Sequence, residues 1–286
     1  MKISTEIYSS ARHIGEERAI ELLAKAGFDC WDFSMFEMAR IDWSTWQLKE
    51  SDHPLSKHDY AKFAKRLRQV GEDNGIYCNQ SHAPFPSKCV GMDYIKRAIE
   101  CTAIAGGKIC IVHPDNNASA EENAEMYNIL LPFAKEHDVK IATENMWNWE
   151  NGATRSCPAA CSRAEDFKKH IDIVNDPYFV ACLDLGHAEM DGSGDGAPYM
   201  IRELGNRLQA LHIHDNDKIG DSHQIPFSMK MDFNEIARAL KDINYQGELT
   251  LEADRYLEAY NSENVFEGMK KLAESARKFE KLIIEA

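Results

Sequence analysis

The chain has 286 residues, 44% of them hydrophobic and 28% charged, with a formal net charge of −14; it is long enough to bury a substantial core, in one large domain or two small ones. The acidic balance disfavours non-specific binding to nucleic acid or to an anionic membrane surface. The first residues lack the apolar segment of a secretory signal, no run approaches a membrane span, and the eight cysteines are scattered without a CxxC pair, so the expectation is a cytoplasmic protein with reduced, mostly buried thiols.

The elements alternate along the chain. A strand is predicted over 3–8 and a helix, from apolar residues at helical spacing, over 15–28. A second strand (30–35) precedes a helix over 57–75 that Asn74-Gly75 closes. A third strand (76–83) and a helix over 92–107 follow, then a fourth strand (108–114) and a helix over 119–138. Ser119 and Glu122 stand at capping-box spacing at the start of that helix. The remaining strands are predicted over 140–146, 179–188, 208–215 and 247–253, and the helices over 164–176, 197–207, 232–245 and 262–286.

Eight strand-plus-helix units without a linker predict a parallel sheet with right-handed crossovers. They point to an α/β fold, a (β/α)8 TIM barrel, as a single domain over 1–286. The alternative, a doubly wound open sheet, would carry a glycine-rich phosphate turn after a strand, and none is present. The apolar end KLIIEA reads as core helix, although a homo-oligomer interface is the other reading.

Several strands end in residues that a buried strand should not carry. These are His82, His113, Glu144 with Asn145, Asp184 with His187, His212 with His214 and Asp215, and Glu252 with Asp254. In a barrel the C-terminal strand ends meet at one face, where active sites sit. Carboxylates and imidazoles gathered there repel like charges unless a cation joins them. Glu144, Asp184, His212 and Glu252, from four strands, would offer three carboxylates and one imidazole. That donor set suits a divalent Mn, Zn, Co or Mg ion, with Mn and Zn the best fits. Asp221-x-His223, beside Asp184-x-x-His187, could complete a second ion site. His214 and Asp215 are expected to support the ligands or touch substrate.

With these motifs in order, the sequence resembles the xylose isomerase-like TIM barrels, a superfamily of sugar isomerases and epimerases that also includes endonuclease IV-type enzymes. The resemblance covers nearly the whole chain. It rests on SHAPF (81–85), VHP (112–114), TEN (143–145), LDLGH (183–187), LHIHD (211–215), DSHQIP (221–226) and ELTLE (248–252). The epimerase branch implies one divalent ion on Glu144, Asp184, His212 and Glu252, with the two glutamates as acid and base. The endonuclease branch implies a trinuclear zinc site that adds His82, His113, His187, Asp221 and His223.

Two activities follow as expectations. The first is a metal-dependent isomerase or epimerase of a ketose or related polyol, in which Glu144 or Glu252 removes a proton beside a carbonyl and the other returns it. His187, His214, Asn145 and Trp147 are the expected substrate contacts. Trp43, Trp46, Trp147 and Trp149, in loops after strands two and five, suit the C–H face of a sugar. The second is a multinuclear zinc phosphodiesterase acting on abasic DNA. The charge of the loops argues against it, since Asp42, Glu50, Asp52, Asp115, Glu150, Glu189, Asp191 and Asp195 outnumber scattered basic residues there. No basic cluster marks a phosphate pocket, so an unphosphorylated small-molecule sugar is expected.

Overall fold

The computed structural model describes residues 1–150 and 155–286. Eight parallel strands carry the fold: β1 (Ile3–Thr5), β2 (Cys30–Ser34), β3 (Tyr77–His82), β4 (Ile109–Ile111), β5 (Lys140–Glu144), β6 (Phe179–Asp184), β7 (Leu208–His212) and β8 (Leu249–Leu251). Amphipathic helices alternate with them, from Glu16–Ala26 through Ala120–Glu136 to Val265–Glu285. The predicted capping box is formed: Ser119 Oγ accepts from Glu122 N, and the Glu122 carboxylate accepts from Ser119 N.

A single closed ladder of eight strands was the expectation, and the pairing departs from it. Strands β2 to β7 form a six-stranded parallel sheet in the order β7-β6-β5-β4-β3-β2, while β1 and β8 form a separate parallel pair. The seams carry one bridge each, Glu6 with Asp32 and Ile213 with Leu251. Strands β1 and β8 keep their regular ladder for one another, and isolated backbone bonds such as Ile7 N to Asp32 O at 3.2 Å and Ile213 N to Thr250 O at 2.9 Å span the seams. The result is a curled parallel sheet with a short two-stranded pair beside it.

The eight cysteines are free, and six are buried. In the KLIIEA segment Ile283 is buried and Leu282 packs partly against the core, whereas Ile284 is exposed. Among the described residues, no helix is long and apolar enough to cross a membrane.

Two features extend the mouth beyond the eight units. One is an antiparallel hairpin, Arg40–Asp42 with Gln47–Lys49, after β2. The other is a hairpin of Trp147–Trp149 with Ser156–Pro158 after β5. The predicted sixth strand also ends early. It stops at Asp184, and Leu185–Glu189 turns into a short helix in which the Asp184 carboxylate accepts from His187 N at 2.7 Å. Gly186 permits the packing there, because a Cβ at that position would stand 2.0 Å from the His214 ring.

Candidate metal centre

The alternation of side chains along a strand sends every second residue into the sheet's concave interior. Ala142 and Glu144 share that face on β5, Val180, Cys182 and Asp184 on β6, and Ala210 and His212 on β7. Ile111, Ala142, Val180, Cys182 and Ala210 form a small apolar cluster of their own, apart from the main core. One step further along the strands stand Glu144, Asp184 and His212, which meet Glu252 from the end of β8. Ligand atoms of these four lie within 4.8 Å of one another, and all four are buried. His212 Nδ1 stands 3.2 Å from Glu144 Oε1 and 3.3 Å from Glu252 Oε2.

Two further groups adjoin this one. His82 and His113 meet across 2.9 Å through their Nε2 atoms, and His113 Nε2 is 3.2 Å from Glu144 Oε2. His187, His214, Asp221 and His223 form the other group, with His223 Nε2 3.0 Å from Asp221 and His187 Nε2 3.4 Å from it. Every residue named from the sequence as a possible ligand therefore falls in one of three contiguous groups.

The charge states differ sharply across the cluster. Burial pushes the Glu144 carboxyl up, but the His212 charge and hydrogen bonds from His113, His212 and His82 outweigh it and hold the group well below the usual range. Burial and then the neighbouring Glu144 charge drive Glu252 well above it, against the opposing pull of His212. Burial pushes His212 down, yet the Cys182 thiol and the Glu252 and Glu144 carboxylates hold it well above an ordinary imidazole. His187 is likewise held up at about 10 by Asp184 and Asp221 despite its burial, while burial and His82 push His113 down to about 4.

The residues fit a divalent cation. Asp184 Oδ2 is buried without a hydrogen-bond partner, a costly state for a carboxylate oxygen that a cation would relieve. The donors are carboxylate oxygens and imidazole nitrogens, which suit a hard or borderline divalent ion. The far side of His212 faces a carboxylate, although its Nε2 makes no hydrogen bond there. Its Nε2 faces Asp32 Oδ2 at 3.6 Å, and Asp32 is held by Gln80, whose Nε2 donates to Oδ2 at 2.9 Å. A carboxylate behind a ligating imidazole fixes its tautomer and orientation. Sequence reading missed Asp32, although an aspartate inside the apolar strand CWDFS was a usable signal.

The expected substrate contacts divide. His187 and Trp147 line a cavity of about 850 Å³ whose floor includes Glu144 and Glu252. Asn145 and His214 do not line it. Asn145 clasps the end of β6, donating to Asp184 O at 2.9 Å and accepting from Asp184 N at 2.8 Å. His214 is fully buried, stacked on His223 at 4.0 Å with Nε2 3.1 Å from Asp184 Oδ1. Asp215 accepts from Met229 N and Met231 N, so it ties down the loop after β7.

The profile of the xylose isomerase-like TIM barrel family matches residues 20–282, and the chain belongs to that family. A D-psicose 3-epimerase of Agrobacterium fabrum is 22% identical over 256 residues, covering 82% of this chain and 77% of its own. An uncharacterised protein of Sinorhizobium fredii is 24% identical over 283 residues, covering 85% and 83%. Among solved structures, a D-tagatose 3-epimerase-like protein superposes with a TM-score of 0.71 at 18% identity, covering 100% of this chain and 99% of the other.

Proposed function

We propose that the protein is a divalent-metal-dependent sugar isomerase or epimerase, with residues 1–286 acting as one domain. One observation carries the reading: Glu144 from β5 and Glu252 from the end of β8 meet in a single cavity, beside Asp184 and His212. The epimerase relatives found by sequence and by fold support it.

Glu144, Asp184, His212 and Glu252 would hold the ion, Mn or Zn by donor chemistry. When bound, the ion supplies Lewis-acid polarisation of a substrate carbonyl, which acidifies the adjacent C–H. One glutamate then takes that proton, and the C–H electron pair moves toward the carbonyl. The other glutamate delivers a proton to the opposite face for epimerisation, or to the neighbouring carbon for isomerisation. Burial supports this exchange, since it removes water that would compete for the proton. His187, its Nδ1 fixed 2.8 Å from Asn145 O, presents Nε2 to a substrate oxygen, and Trp147 covers the sugar's C–H face. Asn145 and His214 position Asp184 rather than touch substrate. The substrate is a soluble, unphosphorylated sugar, and the protein works in the cytoplasm.

The test is hydrogen exchange in deuterated water, followed by NMR across a panel of ketoses with added Mn or Zn. Deuterium entering at the carbon beside the carbonyl, and lost in Glu144→Gln and Glu252→Gln, supports the reading. No exchange with any sugar would remove it.

The convergence of His82, His113, His187, Asp221 and His223 around the central four favours a second reading, a multinuclear zinc phosphodiesterase on abasic DNA. Among the described residues the rim offers no basic stripe for a nucleic-acid backbone: Lys88 is paired with Asp115, and Arg255 lines the mouth beside Asp254. Cleavage of an abasic oligonucleotide by zinc-loaded protein would establish this reading.

A further inference from the structure

The cavity is larger than the chemistry at its floor requires. At a water-like ~30 Å³ per heavy atom, a hexose of about twelve non-hydrogen atoms fills at most ~360 Å³. The space available is about 850 Å³. A sugar ring at the floor leaves the outer part of this open-mouthed cavity unfilled.

That outer space has two aromatic walls. On one side, Trp43 and Trp46 project from the hairpin after β2, their rings 5.6 Å apart and nearly perpendicular. Trp43 reaches Phe85 at 6.4 Å, and Phe85 reaches His113 at 5.0 Å. On the other side, Trp149 stands 4.9 Å from Trp147, which approaches His187 at 6.4 Å. Two-residue spacing on one strand puts Trp147 and Trp149 on the same face, and both line the cavity.

These outer rings contribute little to the core. Trp43, Trp46 and Trp149 are 58%, 59% and 45% exposed. Exposing large apolar rings together is unfavourable unless something covers them. Trp46 also sits at φ +58, a conformation that costs a bulky side chain energy. Its turn is held in place by Asp42, which accepts from Ser44 N at 2.9 Å and, through its carbonyl, from Trp46 N at 2.7 Å. Polar groups lie between the walls. Asn148 donates to Asn117 Oδ1 at 3.0 Å, and Asn116 donates to Trp147 O at 3.1 Å, so amides stand beside the tryptophan faces. Flat apolar faces with neighbouring amides match a ring that has one apolar face and polar edges.

We infer that the outer cavity is a subsite for a second ring, and that the substrate is a sugar with a free carbonyl that carries a second ring on one of its other hydroxyls, rather than a bare monosaccharide. The inference rests on the sugar isomerase or epimerase reading above for the ring at the floor. The second ring sits between the Trp43–Trp46 hairpin and Trp149. A glycosyl ring and an aryl ring share the required flat face, and the experiment separates them.

The experiment is calorimetric titration of the metal-supplemented protein with two matched pairs that keep the free ketose carbonyl: D-fructose against lactulose, and D-fructose against 4-O-benzyl-D-fructose. The expected result is at least about tenfold tighter binding of one substituted sugar than of its parent, the sum of two aromatic contacts. Preference for lactulose assigns a glycosyl ring, and preference for the benzyl ether an aryl ring. The preference should collapse in Trp43→Ala and Trp149→Ala, with circular dichroism confirming that both variants fold. Equal affinity within both pairs, or a preference that survives both substitutions, overturns the subsite. Deuterium exchange on the same sugars keeps the two proposals apart. Exchange without ring preference sinks the subsite alone, and ring preference without exchange sinks the isomerase reading alone.

Discussion

The two halves of the sheet's interior, under the same four candidate ligands, are built from opposite chemistry. Beneath Glu144, Asp184 and His212 the interior is apolar and small: Ile111, Ala142, Val180, Cys182 and Ala210. Beneath Glu252 and behind His212, on the side of β1, β2, β3 and β8, it is a hydrogen-bonded chain. Ser4 Oγ donates to Asn79 Oδ1 at 2.6 Å, Asn79 Nδ2 to Thr250 Oγ1 at 3.0 Å, and Thr250 Oγ1 to Gln80 Oε1 at 3.2 Å. Gln80 then donates to Asp32, which faces His212. The apolar half gives the carboxylates a dry floor. The polar half fixes an imidazole from behind, at the cost of burying groups that must all find partners. The difference teaches that this interior is shaped by its ligand set as well as by packing.

That comparison can be broken at several points. The largest effect is expected where the halves meet, at Glu252. Glu252→Gln should lower the rate of deuterium exchange by about 10²–10⁴-fold, the usual contribution of a general acid or base, while the circular dichroism spectrum stays unchanged.

Glu6 comes next. It lies at the end of β1, with its carboxylate accepting from Ser9 N at 2.9 Å. Burial, then the charge of Asp254, holds it up from 4.5 to about 7. The folded state therefore keeps a proton that the unfolded chain releases near pH 4.5. Stability from this group falls as pH rises from 4.5 to 7, and the full loss of about 3 kcal/mol stands above pH 7. Glu6→Gln should stabilise the protein by up to that amount at pH 8 and by little at pH 4, read by urea unfolding at both values.

Asp32→Ala sharpens the contrast differently, since it cuts the polar half from His212. Metal affinity should fall by about 10–100-fold, the common result of losing the carboxylate behind a ligating imidazole. Val180→Ala, on the apolar side, should leave metal affinity within about twofold while costing stability through a cavity. The smallest effects belong to a pair of isosteric swaps. Val180→Thr brings a hydroxyl into the apolar half, and Thr250→Val strips the polar chain of its link. Each should cost about 1–2 kcal/mol in urea unfolding, because each leaves buried polar groups unpaired.

Much of this was legible in the sequence. Strand ends such as TEN, LDLGH and LHIHD interrupt apolar runs with carboxylates and imidazoles, and parallel strands necessarily bring their C-terminal ends together. The order of the eight strands followed from alternation alone. Incomplete closure did not, because pairing at the β1 and β8 seams depends on how the neighbouring strands meet in space, which alternation does not record. The facing of single residues was also hidden. His214 shares the parity of His212, but the chain leaves β7 after His212 and folds His214 under Gly186. Asn145 looked like a substrate contact because it adjoins Glu144, yet its amide is spent on the backbone of Asp184. The tryptophan hairpins were visible only as aromatic loops, since antiparallel pairing of three-residue strands leaves little periodicity to read.

The most direct test of the central claim is the divalent metal content of untagged protein purified without chelator, measured by elemental analysis. Tightly held Mn or Zn is expected, at one ion per chain or more, with the central ion lost in His212→Ala and in Asp184→Asn. A chain that holds no divalent ion, even after Mn and Zn are added back, would contradict the account at its root.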